Sequence, residues 1–191
     1  SIGGNGEGGN AGASGPGPGT SDDSGNGGGS ERPPHTGPYT AYVQVIDASG
    51  ALTIEVPAVW RDINRGPGPT GLPYIAASVD LGAFAGVYTT PGVAYFAMET
   101  GSTVTETLDV LSLQLADDCA DAGRGPYADP TFTGAVQVWR DCGGEDMAVA
   151  VVVATAHEEP DLLFATVVHM VSDADIDAVE RIFDSFDLTG N

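Results

Sequence analysis

The chain contains no lysine; its 191 residues carry six arginines against 27 aspartates and glutamates, a formal net charge of −21. No face of such a chain can gather the basic stripe that neutralises phosphates and releases counterions, which excludes nucleic acid as a partner. The same field repels anionic lipid headgroups. Long apolar runs are missing as well. The longest, Met147 to Ala154, is eight residues, far short of the roughly 18–20 that cross a bilayer as a helix. The domain is therefore expected not to insert into a membrane. Histidine, the usual general base, occurs three times and cysteine twice, so acid–base and thiol chemistry have few possible seats.

What is present falls into two parts. Residues 1–37 hold 14 of the 28 glycines and only three apolar residues, Ile2, Ala11 and Ala13. Such a segment cannot bury enough apolar area to offset the entropy of ordering it, and glycine has the most entropy to lose. A disordered Gly/Ser/Pro-rich linker is expected, with an r.m.s. reach of roughly 30–37 Å. A signal peptide or an anchor upstream of Ser1 fits that geometry. Residues 38–191 are roughly half apolar and form one domain, long enough to bury roughly 68–70% of its unfolded surface without help from several disulfides or a metal.

Along this domain the apolar period alternates between two and about 3.6. Tyr39 to Ile46 and Leu52 to Val56 alternate around Asp47-Ala48-Ser49-Gly50, a β-hairpin pattern stopped by Pro57. Residues 64–73 read as a loop, 75–78 and 92–98 as strands, and Asp80 as the cap of a brief helix. Thr103 and Glu106 make a capping box, and Leu108, Leu111 and Leu115 then recur at helical spacing, which predicts a helix over 103–116. A cysteine-containing loop follows. Residues 132–139 and 147–156 read as strands, the second apolar on both faces and so central in a sheet. Residues 162–171 pair with it through a loop at 157–161. Ser172, with Asp175 three residues on, caps a last helix whose Ile176, Val179, Ile182, Phe183 and Phe186 line one side. The order predicts an α+β fold, one antiparallel sheet packed by helices.

Cys119 and Cys142 stand 23 positions apart among turn residues. A disulfide in an oxidising compartment is the leading reading, with two separate thiols or a metal or redox pair as alternatives; no C-x-x-C and no neighbouring histidine support the last.

The other candidates for chemistry are weak. Gly4 to Gly9 satisfies G-x-G-x-x-G as a string but has neither the strand before it nor the helix after it that a phosphate cradle needs. Asp23-Ser24-Gly25 echoes a protease nucleophile segment without a rigid scaffold. His35 lies in the linker, His157 in a loop, and His169 on a strand face with Ala165, Val167 and Val171. The Asp173-Ala174-Asp175-Ile176-Asp177 stretch resembles the start of a calcium loop, yet Ala178 stands where the turn needs glycine. Its carboxylates suit a helix N-terminus instead. Asp117, Asp118 and Asp121 form a solvated acidic cluster. No catalytic residue, cofactor or metal is assigned. Trp60, Tyr74, Tyr127 and Trp139, at strand ends and loops, are candidates for a binding surface where exposed.

Three stretches, GALTIEVPAVW (50–60), YADPTFTGAVQVWRDCGG (127–144) and VSDADIDAVERIFDSFDL (171–188), together resemble secreted actinobacterial domains of the PsbP-like superfamily. LpqN-type lipoproteins share that superfamily, and similar domains close some secreted trypsin-like serine proteases. The resemblance implies an α/β/α sandwich with a central antiparallel sheet, a disulfide between Cys119 and Cys142, and no catalytic residue. The function it implies is an extracellular, non-catalytic binding or accessory module for a protein or a small apolar ligand; a monomer is expected. A C-terminal accessory domain of a secreted serine protease and a calcium-dependent surface protein are the alternatives.

Overall fold

A computed structural model describes residues 37–99, 101–144 and 146–189. Residues 1–36 of the predicted linker, with His35, the glycine string and Asp23-Ser24-Gly25, lie outside the described residues.

The fold is α+β and its strand pairings are antiparallel. Strands β3 (Asp62–Asn64), β4 (Tyr74–Ser78), β5 (Gly92–Glu99), β6 (Ala120–Ala128), β7 (Phe132–Arg140), β8 (Ala148–Ala156) and β9 (Leu162–Met170) form a seven-stranded sheet ordered β3-β4-β5-β9-β8-β7-β6. Strand β8 sits between β7 and β9 and is buried along nearly its whole length, as its two apolar faces require. Ala150, Val152, Ala154 and Ala156 face one core, and Val149, Val151 and Val153 face the other.

Each face has its own cover. Helix α2 (Val104–Asp118) packs Leu108 and Leu115 onto the Val149–Val153 face. Its start is fixed by the predicted capping box: Thr103 Oγ1 accepts from the Glu106 amide, and the Glu106 carboxylate accepts from the Thr103 amide at 2.8 Å. Helix α3 (Asp173–Ser185) covers the opposite face beside a small second sheet, β1 (Tyr42–Ile46), β2 (Leu52–Pro57) and β10 (Asp187–Leu188), ordered β1-β2-β10. The β1–β2 turn is held by Asp47, whose carboxylate accepts from the Ser49, Ala51 and Leu52 amides and the Ser49 hydroxyl at 2.6–2.8 Å.

Three expectations are corrected. The hairpin does not join the main sheet; with β10 it forms a separate sheet whose buried Val45, Leu52, Ile54 and Val56 pack over that sheet's core. Residues 120–128, expected as a loop, form β6, paired along its length with β7. It is an edge strand, where Pro126 and the bulge at Gly123 (φ +119°) are tolerated because no neighbour needs their outer backbone groups. Ile176 is 51% exposed, because Ala174, Ala178 and Ile182 form the inward stripe of α3. The brief helix capped by Asp80 is α1 (Leu81–Phe84).

Candidate functional site

The four aromatics do not share a surface. Trp60 is fully buried on the α3 side of the sheet, edge-on to Tyr39 at 6.2 Å, whereas Trp139 is buried on the α2 side with Leu108 and Cys142. Tyr127 is half-buried against Phe183 and Phe186, and its hydroxyl donates to Asp129 at 2.5 Å. Burial and that carboxylate push the hydroxyl pKa far above its ordinary value. Tyr74 is half-buried beside Phe96. The strand alternation that exposes one neighbour buries the next, so position at a strand end did not translate into exposure.

The cysteines form a disulfide, joining the C-cap of α2 to the 3-10 turn Cys142–Gly144 that follows β7. This closes the α2–β6–β7 unit on itself. A second clasp runs across the same unit: Arg124 donates to Gln137 at 2.8 Å and pairs with Asp109 of α2 at 2.7 Å, while the Gln137 amide donates to Asp121 at 2.5 Å.

His169 is 8% exposed, with the Phe84 ring at 4.5 Å and the Tyr88 ring at 5.7 Å between centroids. Burial lowers its pKa to about 4 despite a hydrogen bond to the Thr90 backbone, and Nδ1 has no hydrogen-bond partner among the described residues. The hydroxyl of the neighbouring Tyr88 turns to Asp118 at 3.4 Å. No hydroxyl–imidazole–carboxylate chain forms at this histidine.

The calcium-like stretch is helix cap rather than loop. Asp175 is buried and its carboxylate accepts from the Tyr39 hydroxyl at 2.5 Å, the Ser172 hydroxyl at 2.7 Å and the Val171 amide at 3.1 Å. Among the described residues, no three His, Cys, Asp or Glu side chains gather closely enough to hold a metal. No helix there is long and apolar enough to cross a membrane.

The larger of two described concavities with the dimensions of a ligand site is a cleft of about 580 Å³ at the end of the sandwich, where the small sheet and the main sheet part. Such a volume lies within the roughly 300–1,000 Å³ of small-molecule sites. Buried Leu52, Ala97, Ala156 and Phe164 supply its apolar lining; His157, Glu158, Glu159 and Asp187 supply the polar part. Its walls are pinned to one another. His157 Nδ1 donates to the Pro130 carbonyl at 3.1 Å, since a carbonyl can only accept, and Nε2 meets the Thr133 hydroxyl at 2.9 Å. Thr131 donates to Asp187 Oδ1 at 2.8 Å, which also takes the Leu188 amide at 2.8 Å. The Thr189 hydroxyl bonds to the Gly50 carbonyl. Thus the β6–β7 turn, the β8–β9 loop, β10 and the β1–β2 turn are held together around the cleft.

A second, smaller groove of about 360 Å³ runs between Ile176, Val179 and Phe183 of α3 and the β7–β8 end of the sheet, with Arg140, Asp141 and Asp146 beside it. Neither concavity was legible from the sequence. The linings come from segments far apart in the chain, and only the second apolar stripe of α3 gave a local signal.

No protein-family model matches the chain, and no curated protein matches it.

Proposed function

We propose that the chain is a non-catalytic binding module exported from the cell, and that its ligand site is the cleft at the open end of the sandwich. One observation carries this reading: the cleft is a preformed concavity lined in about equal parts by apolar and polar surface, and its walls are cross-tied by the His157–Pro130, Thr131–Asp187 and Thr189–Gly50 hydrogen bonds. Walls already fixed in the free protein lose little freedom when a ligand enters, which is how a small site gains affinity. The disulfide supports export, because such bonds persist in oxidising compartments. Helices on opposite faces of one antiparallel sheet agree with the PsbP-like plan, and the accessory role is proposed with it. Fold alone assigns no ligand.

The test is saturable binding of a neutral apolar dye, Nile red, to residues 1–191 and to the Ala51→Trp variant. Ala51 lines the cleft and is not one of its buried floor residues, so an indole there obstructs the site without entering the core. One-site binding that the variant abolishes, with its melting curve unchanged, is expected. Equal binding by both proteins, or none by either, would remove the cleft as the site.

A further inference from the structure

Resting on that reading, we infer that the ligand of the cleft is a free, single-chain amphiphile with a cationic head, a protonated amine or a quaternary ammonium group on an apolar body. The lining contains three carboxylate side chains, Glu158, Glu159 and Asp187, and no arginine, in a chain that has no lysine. Among the described lining residues, an anionic head meets three carboxylates and no arginine. Asp187 is oriented for the task. The Thr131 hydroxyl and the Leu188 amide both bond its Oδ1, which fixes the carboxylate plane and leaves Oδ2 with no hydrogen-bond partner among the described residues. The Glu159 carboxylate has no partner among the described residues, and its backbone carbonyl, bonded by the Leu162 amide, fixes its place in the β8–β9 loop.

His157 adds no competing donor, since both ring nitrogens are engaged, with Pro130 and Thr133. The same cleft is lined by the buried Leu52, Ala97, Ala156 and Phe164, a surface for the tail. The net charge of −21 raises the local concentration of any cation, and the low-dielectric walls concentrate the field where the carboxylates sit. The groove beside α3 shows no such bias: Arg140 shares it with Asp141 and Asp146. A volume of about 580 Å³ suits one short chain, which points to a free ligand rather than a membrane lipid.

Three probes that share an octyl tail test this at physiological ionic strength and below their micellar concentrations: octyltrimethylammonium, octyl glucoside and octanoate. The ammonium should bind about tenfold more tightly than the glucoside, and octanoate more weakly still. In the Glu159→Gln/Asp187→Asn double variant, which keeps the side-chain shapes, ammonium affinity should fall to that of the glucoside while glucoside affinity stays level. Asp117→Asn, an equal kind of charge loss at the end of α2, should leave the preference intact.

Equal affinity for all three probes in the wild type would overturn the cationic assignment and leave the cleft as a neutral apolar site. A preference that survives the double variant, or that Asp117→Asn reduces equally, would trace it to the overall field and overturn the assignment too. Sedimentation with phosphatidylcholine vesicles would overturn the choice of a free ligand. Absence of saturable binding by every probe would remove the cleft reading together with the inference.

Discussion

Tyr39 and Asp175 stand 136 positions apart in the chain and meet through a 2.5 Å hydrogen bond that fastens the approach to β1 onto the first turn of α3. Burial, and then the carboxylate, push the Tyr39 hydroxyl pKa far above its ordinary value. Asp175 is itself buried, so losing a donor leaves part of a charge unsatisfied. Tyr39→Phe should cost about 1–3 kcal/mol of stability in urea unfolding. Asp175→Ala, which also strips the Ser172 hydroxyl and the Val171 amide of their acceptor, should cost more. Equal stability of wild type and Tyr39→Phe would show that the bond contributes nothing net.

His169 gives a pH dependence of defined sign. Its pKa is lowered to about 4 in the fold by burial, against an ordinary value of 6.5. Above about pH 6.5 the ring is neutral whether folded or unfolded, and its contribution is level. Between about pH 6.5 and 4 the unfolded chain takes up a proton that the fold rejects, so stability falls with pH, by roughly 3 kcal/mol in all. Below that window both states are protonated and the loss stops growing. His169→Phe should remove this part of the pH profile. Measuring both proteins from pH 7 to 4 separates it from the carboxylates, which titrate in each.

Gly134 admits no side chain. A Cβ there would lie 2.0 Å from the Val153 carbonyl oxygen and 2.5 Å from the Ala154 Cα, both backbone atoms of the paired strand β8. Gly134→Ala must push β7 and β8 apart inside the sheet, where both strands are paired on both sides, and should cost at least about 3 kcal/mol. Gly125→Ala, in the neighbouring edge strand with open space around it, should fall within roughly 1 kcal/mol of wild type. Similar melting temperatures for the two variants would contradict this account of the β7–β8 contact.

Reduction of the Cys119–Cys142 bond reopens a loop of 23-residue separation. A loss of about 3 kcal/mol is expected from chain entropy, seen as a lower melting temperature with reductant and reproduced by the Cys119→Ser/Cys142→Ser variant. An unchanged curve would mean that the Arg124–Asp109 and Gln137–Asp121 contacts already hold the unit closed.

With 27 carboxylates and only two ion pairs among the described residues, self-repulsion should dominate the salt response. Raising sodium chloride from about 0.02 to 0.5 M shortens the screening length several-fold, and the melting temperature should rise. A fall would mean that the Arg124–Asp109 and Arg181–Glu55 pairs outweigh the repulsion.

Much of the fold was legible because local rules and burial agreed. The capping box at Thr103 and Glu106, the cap at Ser172 and the two apolar faces of β8 each announced the element later found. Strand β6 was hidden because an exposed edge has no inner face to impose alternation, and its glycines and proline imitate a loop. Ile176 misled because the inward stripe of α3 uses small residues, Ala174 and Ala178, where the sheet approaches closely, which leaves larger apolar side chains to the flank. The cleft could not be read at all. Leu52, Ala97, Ala156 and Phe164 each look like ordinary core residues, and only the parting of two sheets turns them into a lining.

The central claim is that the open end of the sandwich takes up a ligand, and the most direct measurement is the backbone amide footprint of octyltrimethylammonium on ¹⁵N-labelled protein. Saturable shifts should be confined to residues around the cleft, among them Leu52, Ala97, Thr131, His157, Phe164 and Leu188. Shifts centred on α2, on the α3 groove, or spread evenly over the acidic surface would contradict it.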